Sequence, residues 1–190
     1  MIEELIKRNR SCRRFFQKEM IPLDTLKWLV NLARLSASAA NLQPLKYILS
    51  NDPQKNEMIF SCLAWAGYLK SWVGPPEGER PSAYIIVLGD TDIAKLFATD
   101  VGIAAQSILL GAREQDLAGC MIGSIKKDLL RELFQIPPRF EIELVIALGK
   151  PKETVILEEM KPRGSIKYWR DENGIHHVPK RPLAEIILSD

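Results

Sequence analysis

The sequence predicts an α+β fold, and three features support this prediction. The runs AYIIVLGD (83–90) and FEIELVIALG (140–149) are apolar and short enough to be buried strands. Between them, from Ala94 to about Gln115, apolar residues recur with the i, i+4, i+7 spacing of a helix. Because 46% of the 190 residues are hydrophobic, the chain can bury one sizeable core, and a single domain spanning 1–190 is expected.

The remaining elements follow from periodicity and turn signals. Helices are predicted near residues 2–6, over 26–33 after Pro22, over 58–69, over 126–134 and over 180–188, and strands over 45–50 and 117–123. Segment 166–179 has two β-rich arms around Asn173-Gly174, which is a strong hairpin signal. We find no internal repeat or linker, so no domain boundary is predicted within the chain.

Charge and cysteine content argue against several classes of protein. Lysine and arginine number 26 against 24 aspartates and glutamates, and a net charge of +2 favours a small-molecule ligand over nucleic acid or a membrane surface. Cys12, Cys62 and Cys120 have neither zinc-binding nor disulfide-framework spacing. The sequence has no signal-peptide pattern and no apolar run of membrane-spanning length. A soluble, cytoplasmic protein in a reducing compartment is therefore expected.

The segment RNRSCRRF (8–15) places four arginines close together in an otherwise charge-balanced chain. One interpretation is a solvated helix end, where arginines complement the helix dipole. The other is an anion site, since a guanidinium group binds an oxyanion bidentately. Two further segments are candidates for function, the loop SAANLQP (38–44) and the basic segment KRPLAEII (180–187).

Together these three segments resemble the FMN-dependent nitroreductases. RSCRRF (10–15), SAANLQP and KRPLAEII occur in the order and at the separations typical of that family, with the apolar helix GIAAQSILLGA (102–112) between them. The resemblance implies a central, mainly antiparallel sheet covered by helices, and a homodimer with two FMN molecules in clefts at its interface. It also implies NADH or NADPH as the electron donor.

The resemblance assigns the cofactor contacts to four segments. The residues implied are Asn9, Arg10, Ser11 and Arg13; Ser38, Asn41 and Gln43; Met121, Ile122 and Gly123; and Lys180 and Arg181. Arg10, Lys180 and Arg181 suit the phosphate, whereas Arg13 suits the ring near N1 and the C2 carbonyl, where negative charge accumulates on reduction. Asn9 stands where many members have a basic residue, so its backbone is the part expected to line the site.

The contribution of loop 38–44 is open in one respect. Ser38 and Asn41 offer compact donors and acceptors for the polar edge of the flavin ring, either in their own chain or in the partner subunit.

The small residues Gly102, Ala105 and Gly111 along the apolar helix suit close helix packing at a dimer interface.

Several candidate residues also have an ordinary structural explanation. Ser38, Asn41 and Gln43 could cap a loop, and Lys180 and Arg181 could be surface charges. Adjacent positions on a strand face opposite ways, so His176 and His177 are expected to be surface or half-buried histidines that do not share a metal. Cys120 is expected to be a small buried residue without a redox role. Trp65, Tyr68 and Trp72 have the spacing of a helical core face, although an aromatic lid over a flavin would use the same residues.

The function predicted is that of an FMN-dependent oxidoreductase with a small-molecule acceptor. The sequence contains no Ser-His-Asp set, metal cluster, dinucleotide glycine fingerprint or phosphate-loop lysine, and flavin chemistry requires none of these. The resemblance suggests a ping-pong cycle from NAD(P)H through flavin N5 to a nitroaromatic, quinone or other conjugated acceptor. Two alternatives remain: a flavin-binding or sensing protein with little turnover, and the same fold used for flavin breakdown or reductive dehalogenation.

Overall fold

The computed structural model describes residues 1–69, 71–161 and 164–189, and it has the predicted α+β architecture. Five helices are described: α1 (Ile2–Arg8), α2 (Leu23–Leu35), α3 (Pro53–Ser61), α4 (Ala98–Glu114) and α5 (Lys127–Leu133). Seven strands are described: β1 (Leu45–Ser50), β2 (Ala83–Asp90), β3 (Ala118–Ile122), β4 (Phe140–Gly149), β5 (Val155–Glu159), β6 (Trp169–Arg170) and β7 (His176–Lys180).

The central sheet has four strands in the order β1-β2-β4-β3, and every neighbouring pair is antiparallel. Helices cover both of its faces. Ile85 and Val87 of β2 pack with residues of α2 and α4, while Tyr84 and Ile86 pack on the other face with residues of α3 and α5. Because β2 is covered on both sides, all eight of its residues are buried, which explains its continuous apolar run.

A second sheet of three strands, in the order β5-β7-β6, forms next to the N-terminal segment. The predicted hairpin between β6 and β7 is confirmed, since the Ile175 carbonyl accepts from the Asp171 N–H at 3.1 Å and Gly174 has a φ of +76°. Strand β5, which pairs in parallel with β7, was not predicted; it is a short run of three apolar residues followed by two glutamates, without the alternation of a half-buried strand.

Three helix predictions need correction. The helix predicted over 58–69 ends at Ser61, and Ala66 adopts a φ of +41°, so the spacing of the tryptophans and tyrosine there is not helical. The central helix begins at Ala98 instead of Ala94. Segment 180–188 contains only a single turn of 3-10 helix, Leu183–Glu185, because apolar side chains there have no core face to pack against among the described residues.

The segment after α1 is attached to the edge of the central sheet. The N–H of Cys12 donates to the Gly119 carbonyl at 2.9 Å, and the N–H of Phe16 donates to the Lys150 carbonyl at 2.9 Å. Ser11 therefore runs beside β3 in parallel. This attachment places the arginine-rich segment between the central sheet and the three-stranded sheet.

Candidate functional site

A cavity of about 240 Å³, here called the basic cavity, opens between the N-terminal segment, α4, β3 and β7. It is lined by Asn9, Arg10, Ser11, Arg13, Gln106, Leu109, Met121, Tyr168, His176, Val178 and Lys180. The lining contains three permanent cations and, among the described residues, no carboxylate. Such a set suits an anionic ligand.

Local structure explains how residues so far apart in sequence reach one cavity. The bond from Cys12 to Gly119 holds the N-terminal segment along β3, so Ser11 lies near Met121. On β7, alternate residues face the same side, and the cavity accordingly receives His176, Val178 and Lys180 but not the residues between them.

A second cavity of about 230 Å³, here called the aromatic cavity, adjoins the first. It is lined by Arg13, Ala64, Trp65, Ala66, Gly67, Cys120, Met121, Ile122, Gly123, Ser124 and Tyr168. Arg13, Met121 and Tyr168 line both cavities. Residues 121–123 and Arg13, which were predicted separately as cofactor contacts, thus line the same cavity.

Arg10 lies half-buried at the wall of the basic cavity. Its Nη2 donates to the Ile6 carbonyl at 2.8 Å, but its buried Nε has no hydrogen-bond partner in the described parts of the chain. Burial lowers the pKa of this guanidinium from its usual value, which means that its charge lacks full solvation. A bound anion would supply both the missing acceptor and the missing charge compensation.

Arg13 is buried to an extent that is unusual for a charged side chain, with 8% of its surface exposed. Its Nη1 lies 3.3 Å from Nε2 of His176 and 3.4 Å from the Ser11 carbonyl. Its backbone N–H donates to the carboxylate of Glu153, which also accepts from Arg170 at 2.8 Å. Glu153 therefore ties this segment to β6 without neutralising the Arg13 guanidinium by direct contact.

His176 was not among the predicted site residues and was expected at or near the surface, but it is 1% exposed and lines the basic cavity. Burial, with the charge of Arg13 second, lowers its pKa to about 4, so the ring is neutral at pH 7. Arg13 donates to Nε2, which leaves the proton on Nδ1, and that buried atom finds no partner in the ranges the structure covers. The alternation of β7 that brings Lys180 into the cavity was the signal that could have identified His176.

His177 faces the opposite way, as predicted, although it too is buried. Its Nδ1 lies 2.5 Å from Glu158 and its Nε2 lies 3.4 Å from Asp171. Over the three described ranges, no group of histidine, cysteine, aspartate and glutamate is arranged to hold a metal ion. All three cysteines are buried and free, and burial raises the pKa of the Cys120 thiol.

The loop with Ser38, Asn41 and Gln43 is not brought to these cavities within one chain. Ser38 and Gln43 line a separate cavity of about 210 Å³, together with Tyr47 and Asp100. The Gln43 N–H donates to Ser38 Oγ at 2.9 Å, which is the loop-capping contact considered above. Asn41 is exposed, and Ala40, Asn41 and Gln43 all have positive φ, a costly conformation that functional loops often hold.

The two basic residues at the end of β7 also separate. Lys180 lines the basic cavity, whereas Arg181 is exposed and lies 3.5 Å from Glu185 on the next turn. The structure therefore places Asn9, Arg10, Ser11, Arg13, Met121, Ile122, Gly123 and Lys180 around the two adjoining cavities, and Ser38, Asn41, Gln43 and Arg181 elsewhere in the chain.

Comparison with solved structures defines the class of fold first. A protein assigned as a nitroreductase, solved in complex with FMN from Desulfovibrio desulfuricans, matches with a TM-score of 0.71 and 21% identity, covering 100% of this chain and 96% of that one. An FMN-dependent nitroreductase from Clostridium difficile R20291 matches with a TM-score of 0.67 and 21% identity, covering 87% of this chain and 91% of that one. The fold is thus the nitroreductase fold.

Sequence comparison then identifies the family. The sequence model of the Nitroreductase family matches residues 6–150, so the chain belongs to this family and is an oxidoreductase. A relative from Archaeoglobus fulgidus, assigned as an NADH dehydrogenase/NAD(P)H nitroreductase, is 26% identical over 158 residues, which are 79% of this chain and 85% of the relative. None of the helices in the described ranges is long and apolar enough to cross a membrane.

Proposed function

We propose that this protein is an FMN-dependent oxidoreductase that transfers electrons from NADH or NADPH to a nitroaromatic, quinone or other conjugated acceptor in a ping-pong cycle. The basic and aromatic cavities together are its active site, and the chain acts as one domain over 1–190. The observation that carries the proposal is that eight residues implied by the family resemblance surround two adjoining cavities. Those residues come from segments far apart in the sequence.

The residues present fit an FMN molecule at both of its ends. Arg10 and Lys180 are cations facing the basic cavity, as a phosphate requires, and the unpartnered Nε of Arg10 supplies a free donor. Toward the aromatic cavity, Arg13 supplies a buried charge. A Cβ atom placed on Gly123 would have no atom within 4 Å, so a ligand can approach the backbone there.

When bound, FMN supplies a centre that accepts a hydride at N5 and returns two electrons to the acceptor. The chain itself provides binding, orientation and electrostatics. The charge of Arg13, held in place by Glu153 through its backbone, is positioned to offset negative charge that develops beside it. Leu109 contributes an apolar side chain to the basic cavity, and Met121 contributes one to both cavities.

A homodimer completes the site in this proposal. The loop with Ser38, Asn41 and Gln43 lines a different cavity from Arg13, so a second copy of the chain is the source expected to bring it to the cofactor. Large apolar side chains that are exposed in the single chain also favour assembly, and among them are Ile2, Leu35, Leu42, Leu96, Leu183 and Leu188.

The small residues of α4, which were offered as a second argument for the dimer besides the resemblance, do not support it. Ala105 is buried in the core of its own chain, and the close approach at Gly111 is made by Leu32 of α2. Of the three small residues only Gly102 is exposed, and a Cβ atom placed on it would have no atom within 4 Å.

The proposal is tested by the absorbance spectrum and by rapid mixing. Purified protein saturated with FMN and freed of excess cofactor should keep a visible flavin double band, and NADH or NADPH should bleach that band in a stopped-flow instrument. A quinone added afterwards should restore it; in the overall reaction NAD(P)H gives up a hydride and becomes NAD(P)⁺, and the quinone takes up those two electrons with two hydrogens, one of them from a solvent proton, to become the hydroquinone. A retained band that NAD(P)H does not bleach over minutes would favour a flavin-binding protein with little turnover instead.

A further inference from the structure

A cavity of about 830 Å³, here called the α3 cavity, opens beside helix α3. It lies between one side of α3, residues 17–20 of the N-terminal segment, and the segment 77–84 that runs into β2. Among the described residues, none lines both this cavity and the basic or aromatic cavity. Its volume falls within the range of about 300–1,000 Å³ that is usual for ligand pockets. The α3 cavity is therefore a second space of ligand size, separate from the proposed cofactor site.

Three buried polar groups on residues that line this cavity have no hydrogen-bond partner. They are Nε of Arg80, Oγ of Ser82 and the hydroxyl of Tyr84, none of which meets a partner within residues 1–69, 71–161 and 164–189. Ser82 is 2% exposed and Tyr84 is 1% exposed. Buried polar groups in folded proteins are nearly always paired, so three exceptions at alternate positions of one short segment need an explanation.

The same feature marks the proposed cofactor site. Across the described ranges, eight side-chain atoms are buried without a partner, and three of them belong to Arg10, Trp65 and His176. Those three residues line the basic and aromatic cavities. The α3 cavity thus has as many buried, unpartnered groups as the site to which the family resemblance points.

The wall that carries these groups is held in place by other hydrogen bonds. Oε1 of Gln17 accepts from the backbone N–H of Gly78 at 2.7 Å and from that of Arg80 at 3.2 Å. Nδ2 of Asn56 donates to the Ser82 carbonyl at 2.8 Å. Because the wall is already ordered, a ligand that pairs with the three free groups loses little free energy to ordering them.

The charged side chains around the α3 cavity balance one another. Nη1 of Arg80 donates to the carboxylate of Glu57, and the guanidinium carbon lies 4.3 Å from the centroid of the Phe60 ring. These contacts fix the guanidinium and leave its Nε–H free. Lys18 and Glu77, the other charged residues of the lining, are exposed. Ligand recognition therefore depends on the free hydrogen-bonding groups rather than on a net charge.

We propose that the α3 cavity binds a small monocarboxylate with an apolar body. The Nε–H of Arg80 and the hydroxyls of Ser82 and Tyr84 can all donate, and a carboxylate can accept all three bonds, one of them charge-assisted. Burial is the main reason that the pKa of Tyr84 is raised, so its hydroxyl stays protonated and able to donate. Met20 and Phe60 supply apolar lining for the body of the ligand.

The ligand class follows from what these three groups exclude. An ammonium group carries only donors, so it would leave the Nε–H of Arg80 unpaired. An alcohol has a single oxygen, which cannot replace the two oxygens of a carboxylate toward three donors. This inference does not rest on the proposed function, because the α3 cavity shares no lining residue with the cofactor cavities among the described residues.

The experiment titrates FMN-saturated protein with 3-phenylpropionate and, as the matched ligand without a carboxylate, 3-phenyl-1-propanol. Amide chemical shifts in two-dimensional NMR give the location and Kd, and thermal unfolding gives the stabilisation that binding produces. The acid should shift amides of residues 53–60 and 77–84 in a saturable way and raise Tm, without altering the flavin absorbance. The alcohol should bind at least about tenfold more weakly.

Two variants remove single donors from the cavity. Ser82→Ala and Tyr84→Phe should each raise the Kd for the acid by about tenfold or more, since each deletes a hydrogen bond to a charged group. Without ligand, Tyr84→Phe should keep or raise the wild-type Tm, because it removes a buried hydroxyl that has no partner. Tyr47→Phe is the matched control, since this half-buried tyrosine on the neighbouring strand β1 lines a different cavity, and it should leave Kd unchanged.

Three results would overturn the proposal. The first is equal binding of the acid and the alcohol, or binding of neither. The second is an acid that perturbs the flavin absorbance and leaves the amides of 53–60 and 77–84 unshifted, which would place it at the cofactor. The third is an unchanged Kd in Ser82→Ala and Tyr84→Phe together with a lower Tm without ligand, which would make a bound water the partner of these hydroxyls. If one variant does not fold, the other decides the Kd comparison.

Discussion

At the residue scale, the four arginines of RNRSCRRF have different surroundings. Arg8 makes an exposed ion pair with Asp116 at 3.1 Å, which is the ordinary surface role. Arg14 pairs with Glu79 outside the two cavities and, by its hydrogen bond, is the main reason that the pKa of Glu79 falls to about 2. The other two arginines line the basic cavity. The surface interpretation therefore fits Arg8, whereas Arg10 and Arg13 have the positions that the proposed anion site requires.

Arg13 is the arginine expected to influence the chemistry of the cofactor. Arg13→Gln keeps a hydrogen-bond donor but removes the charge, so stabilisation of the negatively charged reduced state should fall by about 1–2 kcal/mol. For a two-electron couple, about 30 mV corresponds to about 1.4 kcal/mol, so the midpoint potential of the bound flavin should drop by roughly 20–40 mV. Dye equilibration measures this shift, and bleaching by NAD(P)H should be slower.

The matched control for this measurement is Arg14→Gln. It removes the same charge one residue away, from a side chain that lines neither cavity. If both variants shift the potential equally, the effect is one of overall charge, and Arg13 has no specific place at the ring.

Lys180 and Arg181 are neighbours that should differ sharply in cofactor binding. Because only Lys180 lines the basic cavity, Lys180→Ala should weaken FMN binding by about 1.5–3 kcal/mol, which is roughly a 10- to 150-fold rise in Kd. Arg181→Ala should change Kd little, since Arg181 faces Glu185. Fluorescence titration of each apoprotein with FMN gives both values, and equal losses would contradict the separation of these residues.

At the scale of secondary-structure elements, β7 carries two adjacent histidines with opposite electrostatic environments. His177 lies between two carboxylates, and its hydrogen bond to Glu158 is the main cause of its raised pKa. His176 lies beside Arg13 in a buried position, and its pKa is lowered to about 4. The two faces of one short strand therefore respond to pH in opposite directions.

The pH dependence of stability should separate the two histidines. A raised pKa in the folded state means that the contribution of His177 is complete below about pH 6.5 and is lost as the pH rises through the raised value. The lowered pKa of His176 means that its contribution is present above about pH 6.5 and is lost as the pH falls toward 4.

Urea unfolding of wild type, His176→Gln and His177→Gln from pH 4 to pH 9 tests this assignment. His177→Gln should lose most stability relative to wild type at pH 5–6 and progressively less above that, while His176→Gln should gain relative to wild type as the pH falls below about 6.5. The same pH profile in both variants would contradict the opposed environments.

The elements also show which parts of the fold and site a sequence reveals. Strand β2 was predicted correctly because it is buried on both faces, so its composition reports its environment directly. The region after Ser61 was wrongly predicted to be helical. Its aromatic residues have the spacing of a helix, but Trp65 is buried in a turn. Tyr168 and His176 reach the site because β6 pairs with β7 and because His176 contacts Arg13 of the N-terminal segment, and no local pattern encodes such long-range placement.

At the scale of the whole molecule, the proposed homodimer leads to a simple prediction. Sedimentation at micromolar concentration with FMN present should give twice the mass of the 21.5 kDa chain. Dilution below the dissociation constant should release FMN together with the second subunit, because loop 38–44 is proposed to reach the cofactor from the partner. A monomeric mass with FMN retained would contradict both the dimer and that assignment of the loop.

The contact between Arg13 and His176 joins positions 163 residues apart, and this separation has a consequence for synthesis in the cell. The four strands of the central sheet lie before residue 150, so a nascent chain contains the whole sheet before β7, the strand that carries both histidines, has been made. Closing so long a loop adds little entropy cost per residue, but the loop cannot close until β7 has been synthesised. A nascent chain that has not yet been synthesised through Lys180 therefore cannot form the basic cavity, and cofactor capture follows the synthesis of that residue.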